Sequence, residues 1–107
     1  MILYKPLPNE LTIKKSAIHG LGIFALKDIP KNHRLGTIHI EHFDELIRTP
    51  LGGFINHSDT PNCKKVKNIV KKEDLFGNWT SIQWELITNK KITQGDELTL
   101  RYNLYNV

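Results

Sequence analysis

Phe54-Ile55-Asn56-His57-Ser58-Asp59-Thr60-Pro61-Asn62-Cys63 carries most of the information in this chain. Two apolar residues lead into a polar run that ends at a proline, an asparagine and the chain's single cysteine. Asn, Ser, Asp and Pro in succession are turn chemistry, because short polar side chains hydrogen-bond their own backbone and proline fixes φ. Asn56-His57-Ser58 also fits a glycosylation sequon, as does Asn78-Trp79-Thr80. The opening residues, Met1 to Pro6, lack the apolar core of a secretory signal, so the sequon reading has no support. A lone cysteine forms no intramolecular disulfide, which suits a reducing compartment. The expectation is a soluble, intracellular protein, since no apolar run approaches the roughly 20 residues needed to span a bilayer.

Outward from that stretch, the pattern is of short strands. Upstream, Leu11-Thr12-Ile13-Lys14 alternates apolar and polar positions, and Gly22 to Leu26 is a short apolar run stopped by Asp28-Ile29-Pro30-Lys31-Asn32. Leu35 to Ile40 is read as extended, with Ile38 and Ile40 on one face and His39 on the other. Glu41 to Arg48 is predicted to be a helix of about two turns, closed by Pro50 and Gly52-Gly53. Downstream, Cys63 to Val70 and Thr80 to Thr88 are predicted to pair, with Lys71 to Asn78 as their loop. Ile82, Trp84 and Leu86 alternate with Gln83 and Glu85, which predicts Trp84 in the core. A turn over Ile92 to Asp96 and a last strand over Glu97 to Tyr102 complete a β-rich domain. With 107 residues, 39% hydrophobic and 24% charged, the chain fits one small globular domain over residues 1–107.

Two further motifs flank the central one. His19-Gly20-Leu21-Gly22-Ile23-Phe24 precedes it, and Gly95-Asp96-Glu97-Leu98-Thr99-Leu100-Arg101-Tyr102 follows it. Each alone is an ordinary turn. Gly20-Leu21-Gly22 is no dinucleotide fingerprint, because the third glycine and a long following helix are missing. Together, and in this order, the motifs resemble those of the SET domain family over about residues 11–105. The resemblance implies a mainly β, β-clip-like SET-domain fold: several small antiparallel sheets, little helix, and a C-terminal pseudoknot through which the Asn56-His57 segment threads.

It also implies a protein-lysine methyltransferase that takes a methyl group from S-adenosylmethionine. His19, Gly20, Leu21, Gly22, Asn56 and His57 would bind that cofactor. Tyr102 would be the catalytic tyrosine, and Phe54, Leu100 and Tyr105 would line the channel of the target lysine. Tyr105 reads equally as a packing residue. The alternative function is a non-catalytic SET-like module that binds protein or cofactor.

Relatives usually carry a longer segment before Asn-His-Ser, which walls the substrate groove and often brings a second tyrosine. Only Glu41 to Gly53 is available here, and no tyrosine lies between Ile40 and Asn56. A homodimer, or a protein substrate that completes the groove, is therefore expected. No metal is expected: a structural zinc site needs about four ligands, and His39 and His42 read as surface or packing residues. Lys64, Lys65, Lys67, Lys71 and Lys72 give a basic stretch within a net charge of +4. Lysine on a strand edge guards against aggregation, and nucleic acid is not expected as a direct ligand.

Overall fold

The computed structural model describes residues 7–42, 45–75 and 77–101, with only the backbone given for His42, Lys72, Asp74 and Trp79. The elements are β1 (Leu11–Lys15), β2 (Leu21–Ala25), β3 (Arg34–His42), β4 (Glu45–Arg48), α1 (Pro50–Phe54), β5 (Asn56–His57), β6 (Cys63–Asp74), β7 (Gly77–Thr88) and β8 (Glu97–Leu100). They form two four-stranded sheets, in the orders β1-β2-β8-β5 and β4-β3-β7-β6. The chain is mainly β, as expected. All pairs are antiparallel except β5 with β8, which run parallel, Asn56 opposite Thr99 and His57 opposite Leu100. This parallel pair is the part of the expected pseudoknot that falls within the described residues.

The core draws on both sheets and the helix. Ile23, Ile38, Leu86 and Leu98 are fully buried, and Leu51, Cys63 and Leu100 nearly so. Each such aliphatic side chain contributes about 1.5–3 kcal/mol of burial. Trp84 is only partly buried and packs against this cluster. Its Nε1 donates to Glu41 Oε1 at 3.1 Å, and the Lys65 ammonium lies 5.0 Å from its ring centroid.

Three expectations are corrected. The helix predicted over Glu41 to Arg48 is instead the end of β3 and all of β4, a hairpin in the register His39–Arg48, Ile40–Ile47 and Glu41–Leu46. Two helical turns carry too few internal bonds to compete with a ladder already started along β7. The helix begins where the prediction placed the stop. Pro50 sits in its first turn, where a missing N–H costs nothing, and Thr49 is its N-cap. The Thr49 hydroxyl accepts from Gly52 N at 3.3 Å and donates to the Thr37 carbonyl at 2.7 Å, fastening α1 to β3.

The second correction concerns His39. Register shifts between Arg34 and Gly36 and between Thr37 and His39 interrupt the alternation of β3. Ile38 and His39, adjacent in sequence, are both buried as a result. Burial holds the His39 imidazole below its usual pKa, helped by the positive charges of Arg48 and Lys65 and opposed by Glu41. Third, β6 and β7 do not stop at Val70 and Thr80. Pairing continues to Asp74 opposite Gly77, so most of the predicted loop is ladder. Beyond Val70 the open edge of β6 carries Lys71 in solvent, the protected-edge arrangement.

Cys63 opens β6 at 1% exposure, and burial pushes its thiol up to about 12, only partly offset by a hydrogen bond from the Thr99 backbone. The thiolate is the reactive form. The folded protein should therefore leave a chromogenic disulfide reagent untouched at pH 8, and denaturant should release one thiol per chain. Rapid labelling of the native protein would contradict this placement.

Candidate active site

The three sequence motifs meet on one side of the first sheet. Between β1 and β2 the chain makes a tight loop, closed by Ser16 N donating to the Gly20 carbonyl at 2.8 Å. Gly20 takes φ +46°, a left-handed value that suits glycine. Inside the loop the Ser16 hydroxyl accepts from Ile18 N at 2.9 Å and His19 N at 3.3 Å. Ile18 and Leu21 stay about half exposed, so two apolar side chains flank the bare backbone of His19 and Gly20.

Asn56 reaches this loop from β5. Its Nδ2 donates to the carbonyls of His19 and Leu21, both at 3.1 Å, and to Glu97 Oε2 at 2.9 Å. Three acceptors around one atom fix which end of the amide faces the protein. His57 follows, exposed, with its Nε2 3.1 Å from Asp59 Oδ1. β5 is only two residues long, so its position depends on its neighbours. Ser58 N donates to the Leu100 carbonyl at 3.1 Å. Asn62 also clips β8: its Nδ2 donates to the Glu97 carbonyl at 2.9 Å and its Oδ1 accepts from Thr99 N at 2.8 Å. The Pro-Asn-Cys part of the motif is thus the fastener that seats Asn56-His57 on the last strand.

The structure brings His19, Gly20, Leu21, Gly22 and Asn56 together, while His57, the next residue of β5, is exposed beside Asp59 and opposite Leu100. Leu100 lies in the core directly opposite His57, and Phe54 is exposed at the end of α1. Tyr102 and Tyr105 lie outside the described residues. Two participants escaped the sequence reading. The sequence assigns Glu97 only to the start of the last strand, and nothing in it singles out Ser16. The Ser16 hydroxyl donates to Glu97 Oε1 at 2.7 Å and Oε2 at 2.9 Å. An acid opening a strand as apolar as Leu98-Thr99-Leu100 needs partners, and that is the one signal available. The partners themselves stand 81 and 41 positions away in sequence, beyond any local pattern.

Among the described residues no group of three or more His, Cys, Asp or Glu side chains could hold a metal ion, and no helix is long and apolar enough to cross a membrane.

Residues 42–103, more than half of the chain, match the family description "SET domain". Among curated proteins none matches. Among solved structures the chain is similar to a Plasmodium falciparum protein named as a provisional histone methyltransferase. The two share 21% identity at a TM-score of 0.67, over 91% of this chain and 96% of that one, a likeness of fold. With the motifs in order, the sheets in place and the family match spanning Asn56, His57 and the last strand, the chain belongs to the SET domain family.

Proposed function

We propose that this protein transfers a methyl group from S-adenosylmethionine to the side-chain nitrogen of a lysine in a protein substrate. The observation that carries the reading is the convergence of the His19–Gly22 backbone with Asn56, segments more than 30 positions apart, with His57 next to it on β5. The residues present fit such a cofactor. Exposed Ile18 and Leu21 offer apolar cover for a ring, while bare backbone at Gly20, where an added Cβ would meet nothing within 4 Å, allows close approach. Asn56 and His57 supply polar groups beside it.

When bound, the cofactor supplies an electrophilic methyl on a sulfonium. The chain's part is to orient, exclude water and leave the amine neutral. Lysine has a reference pKa of about 10.4, and a dry channel disfavours its charged form. In-line attack requires amine and cofactor to approach from opposite sides. In this reading Tyr102 orients the amine, and Phe54, Leu100 and Tyr105 line its channel, Leu100 as part of the core wall.

The test is incubation with methyl-labelled cofactor and a lysate of host cells, followed by identification of the labelled protein. Label on a lysine is the expected result. Cofactor binding by titration without any transfer would favour the binding-module alternative, and no binding at millimolar ligand would remove both. Asn56→Ala should weaken cofactor affinity by about 1–3 kcal/mol, because a polar group of the bound ligand loses its partner.

The same reading includes a homodimer, or closure of the groove on the substrate. β4 is a four-residue edge strand with every residue exposed, Leu46 and Ile47 among them, so the wall before α1 is thin. Light scattering should report a dimer, or activity should need a folded protein substrate. A monomer at high concentration with full activity on a free peptide would contradict the proposal.

A further inference from the structure

We infer that Glu97 is a positioning residue for cofactor binding: one carboxylate grips both the β1–β2 loop and Asn56 and sets the shape of the pocket between them. The inference rests on the cofactor reading proposed above and goes beyond it, since Glu97 need not touch the cofactor.

The loop cannot hold its own shape by burial. Ala17, Ile18, His19 and Gly20 are all exposed. Its internal order comes from the Ser16 hydroxyl, which accepts from Ile18 N and His19 N. A hydroxyl has one proton to give and two lone pairs to receive. Both lone pairs face those amides, so the proton must go outward, and it goes to Glu97. On the other side Asn56 holds the carbonyls of His19 and Leu21, and the same amide nitrogen is held by Glu97 Oε2. The carboxylate therefore fixes the Ser16 rotamer and the Asn56 amide together, and each of those fixes one side of the loop.

Two further observations support the assignment. Gly22 gives the carboxylate its room: a Cβ there would overlap Glu97 Oε2 and come within 3.1 Å of Asn56 Nδ2. Among the described residues Glu97 forms no ion pair, so its partners are the neutral donors of this loop and of Asn56. A carboxylate only accepts, whereas an amide in its place would point NH2 at Ser16 or at Asn56, donor against donor.

The experiment is titration of S-adenosylhomocysteine into the unaltered protein and Glu97→Gln, alongside thermal unfolding and amide exchange without ligand. Glu97→Gln keeps the volume and should bind about fivefold to tenfold more weakly, the equivalent of a lost hydrogen bond of roughly 1 kcal/mol. Exchange at Ile18 and His19 should quicken in the free protein. In turnover, KM for S-adenosylmethionine should rise while kcat at saturating cofactor stays within about twofold. Gly22→Ala should reproduce the affinity loss, yet add little in a Glu97→Ala background, where the carboxylate it displaces is already gone. A merely structural Glu97 would lower the unfolding midpoint and leave affinity per folded molecule unchanged, and that outcome overturns the inference. Equal binding by the unaltered protein and Glu97→Gln removes this inference alone. No binding by the unaltered protein removes the cofactor reading and this inference with it.

Discussion

Tyr102→Phe should lower single-turnover methyl transfer by tenfold or more while the fold and the cofactor affinity persist. The expectation rests on the role that the family resemblance implies for Tyr102, just beyond the end of β8. Its last residue, Leu100, is buried at 2% exposure and stands opposite His57, two positions before Tyr102. Tyr102 itself lies outside the described residues, and its role is part of the proposed function. The substitution removes one hydroxyl and almost no volume, so packing is largely kept. A hydroxyl that orients the amine in the transition state is worth at least ~1.4 kcal/mol, which is a factor of ten in rate. A tyrosine that only packs predicts a different pattern: stability falls and the rate per folded molecule is kept. Single-turnover transfer normalised to folded protein separates the two. An unchanged rate would mean that the reacting atoms are elsewhere.

The strand leading to Tyr102 suits such a role. Leu98 and Leu100 are anchored in the core, and Thr99, also buried, is tied to Asn62 through its backbone N–H. Sites held on packed strands keep their geometry better than sites on loops. The opposite holds for the β1–β2 loop, which is exposed and depends on Ser16, Asn56 and Glu97 for its order. One half of the candidate site is thus rigid through burial and the other through a polar network. Substitutions should divide accordingly, with changes at Leu98 and Leu100 costing stability and changes at Ser16, Asn56 and Glu97 costing affinity.

How much of this was legible depended on range. β1, β2 and β7 announced themselves by alternation or by a short apolar run between turns, because burial on one face of a strand leaves a period-2 trace. The motifs were legible because their order is specific to one family. Three things were not. The bulges of β3 break the period that a pattern reader relies on, which is how His39 came to be assigned to the face away from Ile38. The stretch 41–48 has apolar spacing compatible with either a short helix or a hairpin, and only pairing along β7 decides it. The Ser16–Glu97–Asn56 network joins three segments across two strands, so nothing local encodes it.

Gly52 and its neighbour Gly53 should respond to alanine with opposite signs, and the pair tests the placement of α1. In a solvent-facing helix, Gly→Ala stabilises by about 0.8–1.0 kcal/mol, because glycine gives up more backbone freedom. Gly53 is exposed, and a Cβ there would meet nothing within 4 Å, so Gly53→Ala should be neutral to stabilising. At Gly52 the same methyl would overlap the backbone carbonyl oxygen of Ile38 and lie 3.1 Å from the Ile38 Cβ. That carbonyl cannot move aside by a rotamer change. It belongs to a bulged strand and accepts from Thr49 N at 3.0 Å, the bond that brings the cap of α1 onto β3. The clash therefore outweighs the gain in propensity, and Gly52→Ala should cost about 1–3 kcal/mol. In a domain of this size that lowers the unfolding midpoint by several degrees, at about 4–8 °C per kcal/mol. Urea titration of both variants reads the two signs directly. Because Ile55 and Asn56 follow α1 without a break, a displaced helix also moves the asparagine, and Gly52→Ala should bind cofactor more weakly even at temperatures where it is fully folded. Equal stability of the two variants would mean that α1 does not lie against β3 at Ile38.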